Sequence, residues 1–203
     1  MSDSLLAAAK RLAEIAGLQW SEVHPYYRTL QAEPSGEGWL PKSQGRNIWA
    51  AHPHFITRLL VALAGATRPA EASQVVEWVQ RLTLNGREIL NDEEPAANSV
   101  SPIEEEFSSY LTNPQKAAEL QRVEVQPDTH SIVFTRKTGE QVIFSINRGY
   151  REGAGDEPRK FRGIYSRGVI DGLVFVYLAK TVNWRLRGEA PFQRARQSEA
   201  GED

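Results

Sequence analysis

The 203-residue chain contains no cysteine, so disulfide bonds and thiolate metal sites are excluded. It also lacks any apolar run that approaches the ~20 residues of a membrane-spanning helix. The longest candidate, Val169–Val182, is interrupted by Asp171 and Lys180. Charged residues from Lys10 onward break up the apolar run that an N-terminal signal peptide would need. These absences predict a soluble, cytoplasmic protein.

The sequence also lacks the motifs that mark common catalytic sites: a phosphate-binding glycine loop, a nucleophile elbow and paired catalytic carboxylates. His52 and His54 are two residues apart, which places them on different sides of a helix, so a role at a helix start is favoured over metal binding. The acidic run Glu104–Glu106 is interpreted as a solvated helix face. We therefore expect a binding protein without a cofactor or metal, and not an enzyme.

The chain has little net charge, -2 at pH 7, but its charges are unevenly distributed. Residues 91–108 hold six acidic residues and no basic ones, whereas residues 148–167 hold six basic residues against three acidic ones. Such segregation can produce a positive surface on a nearly neutral chain; charges that merely solvate a mobile loop are the alternative. The basic segment is a second candidate for nucleic-acid contact, through Arg148, Arg151, Arg159, Lys160, Arg162 and Arg167.

Helical periodicity dominates the first part of the chain and strand-like alternation the last. The spacing of apolar residues predicts four helices, over residues 4–16, 20–32, 52–66 and 69–84. Residues 39–40 and 48–49 flank a polar, basic segment at 41–47, which predicts a small hairpin. Alternation in the last third predicts an antiparallel meander of three strands, over residues 122–125, 131–135 and 141–146.

The expected fold class is α+β, with a helical module followed by a β-meander and a packing helix. Residues 167–182 carry a helical stripe with Ser166 as its cap, although their β-branched content leaves a strand open. An acidic linker, with room for a short helix near 102–111, is expected to separate the two units. The predicted segments are a helix-turn-helix-like module at 1–88, the linker at 89–118, a β-plus-helix domain at 119–188 and a disordered tail at 189–203.

Residues 12–26 fit the spacing rule of a helix-turn-helix. The rule needs a small residue where two helices cross, a residue that tolerates positive φ four positions later, and apolar residues that lock the second helix. Ala13 and Gly17 fill the first two positions, and Val23 and Tyr26 fill the locking positions. An ordinary pair of packed helices is the alternative.

With the predicted basic hairpin after the second helix, residues 5–65 resemble winged helix-turn-helix DNA-binding regulators of phages and bacteria. The resemblance implies that the second helix reads base edges while the hairpin contacts the phosphate backbone. It assigns base reading to Gln19, Trp20, Ser21, Glu22, His24 and Arg28. It assigns backbone contact to Lys42, Ser43, Gln44, Arg46 and Asn47. Pro25 within the second helix, the single helix before the turn and the acidic Glu22 depart from the family pattern.

Two functions are therefore expected. The first is sequence-specific binding to double-stranded DNA by a transcription regulator, whose C-terminal region forms a homodimer or binds a protein partner. The second is a protein–protein interaction module, such as a phage accessory or inhibitor protein, that uses a helix-turn-helix-like fold without DNA. Binding to random duplex DNA that weakens as salt rises would favour the first, because phosphate contacts release counterions.

Overall fold

The computed structural model describes residues 2–31, 38–43, 47–86, 100–146, 168–186 and 192–194. These residues form seven α-helices, a five-stranded antiparallel sheet and a two-stranded sheet, so the predicted α+β class is confirmed. The helices are α1 Leu5–Ile15, α2 Trp20–Leu30, α3 Pro53–Gly65, α4 Ala72–Gln80, α5 Pro102–Thr112, α6 Pro114–Glu119 and α7 Gly172–Thr181. The strands are β1 Asn47–Trp49, β2 Thr83–Leu84, β3 Leu120–Gln126, β4 Ser131–Arg136, β5 Gln141–Ser145, β6 Gly168–Asp171 and β7 Phe192–Arg194.

The first helices begin where local sequence signals place them. The Ser4 hydroxyl accepts a hydrogen bond from the Ala7 N–H at 3.1 Å, which satisfies one of the donors exposed at the start of α1. Helix α3 begins at Pro53, whose fixed φ suits the first helical position, and His52 is its N-cap residue. The predicted helices at 4–16, 20–32 and 52–66 are confirmed.

The five-stranded sheet has the strand order β2-β5-β4-β3-β6, and all neighbouring pairs are antiparallel. Its centre is the predicted meander, in which β3, β4 and β5 follow one another along the chain. Gly139, with φ +88°, lies in the turn between β4 and β5, a conformation that glycine adopts at little cost. The helix predicted over residues 69–84 is shorter than expected. Helix α4 ends at Gln80, and residues 83–84 form strand β2 instead.

The segment at residues 167–182, for which the sequence left both helix and strand open, contains a strand followed by a helix. Strand β6 pairs with β3, and the Asp171 carboxylate then accepts a hydrogen bond from the Leu173 N–H at 2.7 Å, which caps α7. Ser166, the predicted cap, lies outside the described residues. Gly172 permits the abrupt change of structure, because a Cβ atom there would overlap the carbonyl oxygen of Leu120.

Helix α5 lies in the hydrophobic core, where its Ile103, Phe107, Tyr110 and Leu111 are fully buried. The prediction of an acidic linker is therefore wrong for residues 100–118, and residues 89–99 lie outside the described part. Two of the acidic residues that suggested a linker, Glu104 and Glu105, occupy the first turn of α5, where negative charge interacts favourably with the helix dipole. The short helix expected near 102–111 is confirmed.

The two predicted domains, 1–88 and 119–188, share one hydrophobic cluster. Helix α3 contacts β3 and β6 of the sheet, and α1 contacts α7. Gly168 in β6 approaches α3 so closely that an added Cβ atom would overlap the Ala64 backbone. Because the core is continuous, we expect the two predicted domains to unfold in one cooperative transition.

The predicted hairpin between residues 39–40 and 48–49 is wrong. Strand β1 instead pairs antiparallel with β7, in the register Asn47↔Arg194, Ile48↔Gln193 and Trp49↔Phe192. Trp39 and Leu40 have exposed fractions of only 5% and 1%, and the Leu40 N–H donates to the Leu30 carbonyl at 3.0 Å. Burial of these apolar side chains anchors the segment in the core, so it does not form an exposed strand.

Backbone from distant parts of the chain meets beside β1. The Ala51 N–H donates to the Asp3 carbonyl at 2.7 Å, and the Asp3 N–H donates to the Asn183 carbonyl at 2.9 Å. Strand β7 belongs to the tail predicted to be disordered at 189–203, so that prediction is wrong for residues 192–194. The other residues of this tail lie outside the described part of the chain.

Candidate nucleic-acid interface

The turn between α1 and α2 contains a left-handed glycine at the position that the sequence predicted. Gly17 has φ +70°, and the Leu18 N–H reaches back to the Ala13 carbonyl at 2.9 Å. This hydrogen bond, with that from the Gly17 N–H to the Glu14 carbonyl at 3.2 Å, is typical of a helix that ends at a left-handed glycine. Ala13 is buried at the helix crossing and Val23 is fully buried on α2, as the spacing predicted.

One face of α2 is directed toward solvent and the opposite face is buried. Ser21, His24 and Arg28 are exposed, and their spacing of three and then four residues places them along one side of a helix. On the other side, burial raises the pKa of Tyr27 to about 12, against a smaller opposing effect of the Arg28 charge. Tyr26, the second predicted locking residue, is half-buried. The exposed face, called here the α2 ridge, consists of Ser21, His24 and Arg28.

Two of the predicted base-reading residues are engaged within the protein. The Glu22 carboxylate accepts a hydrogen bond from the Gln19 N–H at 2.6 Å and so stabilises the start of α2. Trp20 is half-buried, with its ring centroid 5.3 Å from that of His24 and 5.9 Å from that of Tyr27. Gln19 is exposed as the N-cap residue of α2. Glu22 therefore acts in helix capping, and its exposed carboxylate remains an acidic group beside the cations of this surface.

The segment at residues 38–43 is fixed beside the C-terminal end of α2. The Gln31 side-chain amide donates to the Pro41 carbonyl at 2.9 Å, and the Trp49 indole N–H donates to the Lys42 carbonyl at 3.1 Å. The side chains of Lys42 and Ser43 remain exposed. Gln44 and Arg46, predicted to share the backbone-contacting role, lie outside the described residues, and Asn47 is the first residue of β1.

Three cations around this surface form no ion pair with the described residues: Lys10 on α1, Arg28 on α2 and Lys42. All three are exposed, and the Lys10 ammonium lies 5.9 Å from the centroid of the Trp20 ring. Exposed cations without a carboxylate partner keep their charge available to an anionic ligand. Lys10 was not among the predicted site residues, although its place on the exposed face of the first helix could have indicated it.

The residue that most strongly fixes this region was also missed. Arg58 of α3 is 2% exposed, and its guanidinium donates to the Trp39 carbonyl at 3.0 Å and to the Glu104 carboxylate at 2.6 Å. It thereby holds the segment that carries Lys42 against α3 and α5. Glu104 is fully buried, so its interpretation as part of a solvated face is wrong. The signal in the sequence was an arginine within the otherwise apolar run of α3.

The sequence also predicted a secondary basic segment and a C-terminal partner surface. Six predicted contact residues, Arg148, Arg151, Arg159, Lys160, Arg162 and Arg167, lie outside the described residues. Val169, Leu173 and Tyr177, on β6 and α7, are each more than half exposed. These apolar side chains fit the expected homodimer or protein contact, which stays a prediction.

Comparison with protein-family models, with curated proteins and with solved structures finds no match for this chain. None of the described helices combines the length and apolar character that crossing a bilayer requires. Within the described part of the chain, no three histidine or acidic side chains are grouped so that they could hold a metal ion. The function therefore has to be inferred from the surface formed by α1, α2 and residues 38–43.

Proposed function

We propose that this protein binds double-stranded DNA through the α2 ridge and acts as a sequence-specific transcription regulator. The observation that carries the proposal is the group of three exposed cations that form no ion pair with the described residues and surround a helix that follows a left-handed glycine turn. The net charge of the whole chain is -2, so this local arrangement, and not bulk charge, supports contact with a polyanion.

The proposed roles follow from position on the surface. Ser21, His24 and Arg28 lie on one side of α2, which is the arrangement needed for a helix to present several side chains to base edges in the major groove. Lys10 and Lys42 flank this helix, and we assign phosphate contacts to them. Strand β1 pairs with β7 and not with residues 39–40, so in this proposal Lys42 reaches the DNA backbone from the segment at residues 38–43.

Titration of a random-sequence DNA duplex at salt concentrations between about 50 and 200 mM tests the proposal. We expect log K to fall linearly with log salt, because each phosphate contact releases counterions and contributes about -0.9 to the slope. Replacing Lys10, Arg28 and Lys42 together by Gln should make the slope shallower by about two to three units.

The matched control for the single variant Lys42→Gln is Lys137→Gln. Lys137 is exposed and also forms no ion pair with the described residues, but it lies on the β4–β5 turn. If Lys137→Gln weakened binding as much as Lys42→Gln, contact would be due to general charge and not to the α2 surface. Absence of any binding at low salt would reject the proposal.

A second candidate function, contact with another protein, is favoured by the exposed Val169, Leu173 and Tyr177. Large apolar side chains exposed together are typical of interaction surfaces. We place a second copy of this chain on that face, since a two-fold dimer would present two α2 helices to two DNA half-sites. Sedimentation of the Leu173→Gln/Tyr177→Ser variant tests this placement: a dimer that persists unchanged would exclude it.

A further inference from the structure

A cleft of about 500 Å³ opens between α4 and the turn that joins β3 to β4. Val75 and Trp78 of α4 form one side, and Pro127 and His130 of the turn form the other. Ile146, directly after β5, completes the apolar part of the lining. The volume lies within the roughly 300–1,000 Å³ of sites that bind small molecules.

Two aromatic rings meet at a corner of this cleft. The centroids of the Trp78 indole and the His130 imidazole are 5.4 Å apart, and the ring planes meet at 64°. An indole face with another ring standing edge-on beside it can receive a planar ligand ring by stacking. The corner therefore favours an aromatic ligand over a flexible aliphatic one.

The backbone of His130 is held in an unfavourable conformation. Its φ of 45° and ψ of 58° lie in the left-handed region, where glycine or asparagine is usual at the end of a helical turn. Hydrogen bonds fix it there, from the His130 N–H to the Pro127 carbonyl at 3.2 Å and from the Ile146 N–H to the His130 carbonyl at 3.3 Å. The turn itself does not require an imidazole, and its hydrogen bonds hold the His130 ring at the cleft, beside Trp78.

Glu77 is the carboxylate of the cleft that a cationic ligand could reach. The lining includes Glu71 and Glu77, and each is paired with an arginine, Glu71 with Arg68 and Glu77 with Arg81. Glu77 is bound to Arg81 by one contact of 2.9 Å, and both side chains are about half exposed, at 53% and 49%. An ion pair this exposed is weak, so Glu77 can exchange Arg81 for a ligand ammonium. Glu71 is occupied by hydrogen bonds from Thr67 and Arg68.

We propose that this cleft binds a small aromatic amine, with its ring against Trp78 and His130 and its ammonium beside Glu77. The ammonium also benefits from the electron-rich face of the indole, which is the best aromatic partner for a cation. This inference does not depend on DNA binding, since the cleft is formed by residues other than those of the α2 ridge.

Calorimetric titration of the full chain with three ligands of equal ring size tests the chemistry. The ligands are 2-phenylethylamine, 2-phenylethanol and phenylacetate, which carry a cation, no charge and an anion. We expect affinity to fall in that order, with the amine roughly tenfold or more above the acid. Equal affinities for the three ligands, or no binding of the amine, would overturn the proposal.

Two variants locate the binding. His130→Gly removes the ring and relieves the left-handed backbone, so we expect amine affinity to fall about three- to tenfold while the melting temperature does not decrease. Glu77→Gln should reduce the preference for the amine over the alcohol by a similar factor. Undiminished amine binding in His130→Gly would place the ligand elsewhere and reject the site.

The control for Glu77→Gln is Glu140→Gln. Glu140 is paired with Arg136 at 2.8 Å, four residues away, and it is 58% exposed, so it matches the Glu77–Arg81 pair but does not line the cleft. We expect Glu140→Gln to leave the order of the three ligands unchanged. A loss of amine preference equal to that of Glu77→Gln would show that only the overall charge of the protein matters.

Discussion

Arg58 and Arg28 lie on neighbouring helices, and the protein uses them in opposite ways. Arg58 is buried at 2% exposure and bonded to Glu104 and to the Trp39 carbonyl. Arg28 is exposed and forms no ion pair with the described residues. A buried guanidinium has to be paired because its desolvation is costly, whereas an exposed one stays hydrated until a ligand binds. One arginine holds the helices together, and the other remains available for recognition.

The largest expected effect comes from breaking the buried pair. Arg58→Met leaves the fully buried carboxylate of Glu104 without its guanidinium, and we expect a loss of about 3–5 kcal/mol in the free energy of unfolding. Urea denaturation measures this loss. Arg28→Met should change the free energy of unfolding by no more than about 0.5 kcal/mol, because exposed substitutions rarely do more.

A double variant shows whether the destabilisation comes from the uncompensated charge. Arg58→Met combined with Glu104→Leu removes both charges, and we expect it to recover a large part of the stability lost in Arg58→Met. If the double variant were as unstable as the single one, the hydrogen bond to the Trp39 carbonyl and the packing of Arg58 on Trp39 and Phe55 would be the main contribution. The ring centroids of these residues lie 5.4 and 5.8 Å from the guanidinium carbon.

Local signals in the sequence were sufficient to predict most of the helices in the first part of the chain and the three strands of the meander. Gly17 could be placed in a left-handed turn because few other residues adopt that conformation without strain. The burial of Val23, Tyr27 and Leu30 on one side of α2 leaves Ser21, His24 and Arg28 on the other, whereas the family resemblance had assigned base reading to six residues that also included Gln19, Trp20 and Glu22. Alternation likewise fixed the order and direction of β3, β4 and β5.

Long-range pairings could not be read from the sequence in this way. Glu104 lies 46 residues from Arg58, and its acidic neighbours favoured an exposed face. Strand β1 pairs with β7 near the other end of the chain, whereas local spacing suggested a hairpin with residues 39–40. In each case the partner is distant in the sequence, and no local pattern records such a pairing.

The next effect in size concerns recognition and separates the two proposed kinds of contact. Arg28→Ala should cost about 1–3 kcal/mol in DNA-binding free energy and relax the preference for a selected sequence over a random one. Lys42→Ala should weaken binding to all duplexes alike and make the salt slope shallower by about one unit. Competition titrations of both variants, with selected and random duplexes, provide the measurement. Identical behaviour of the two variants would contradict the assigned roles.

A smaller effect on stability is expected from the turn that positions α2. A Cβ atom at Gly17 would meet nothing within 4 Å, so Gly17→Ala is penalised only through its backbone at φ +70°. We expect a loss of about 1–2 kcal/mol in the free energy of unfolding, measured by urea denaturation. Gly17→Asn is the control, because asparagine tolerates the left-handed region better and should cost less. Equal losses would indicate that the turn does not keep this conformation.

The smallest expected effect comes from Glu71, which is paired with Arg68. Its solvent exposure is intermediate between that of the buried Arg58 and that of the exposed Arg28. Hydrogen bonds from the Thr67 side chain, and then from Arg68, lower the pKa of Glu71 from 4.5 to about 2. A lowered pKa in the folded state stabilises the protein above pH 4.5, and this contribution is lost as pH falls toward 2. The melting temperatures of wild type and Glu71→Gln should therefore differ at neutral pH and converge on acidification. A constant difference for Glu71→Gln down to pH about 2 would show that the ionised carboxylate contributes nothing to stability.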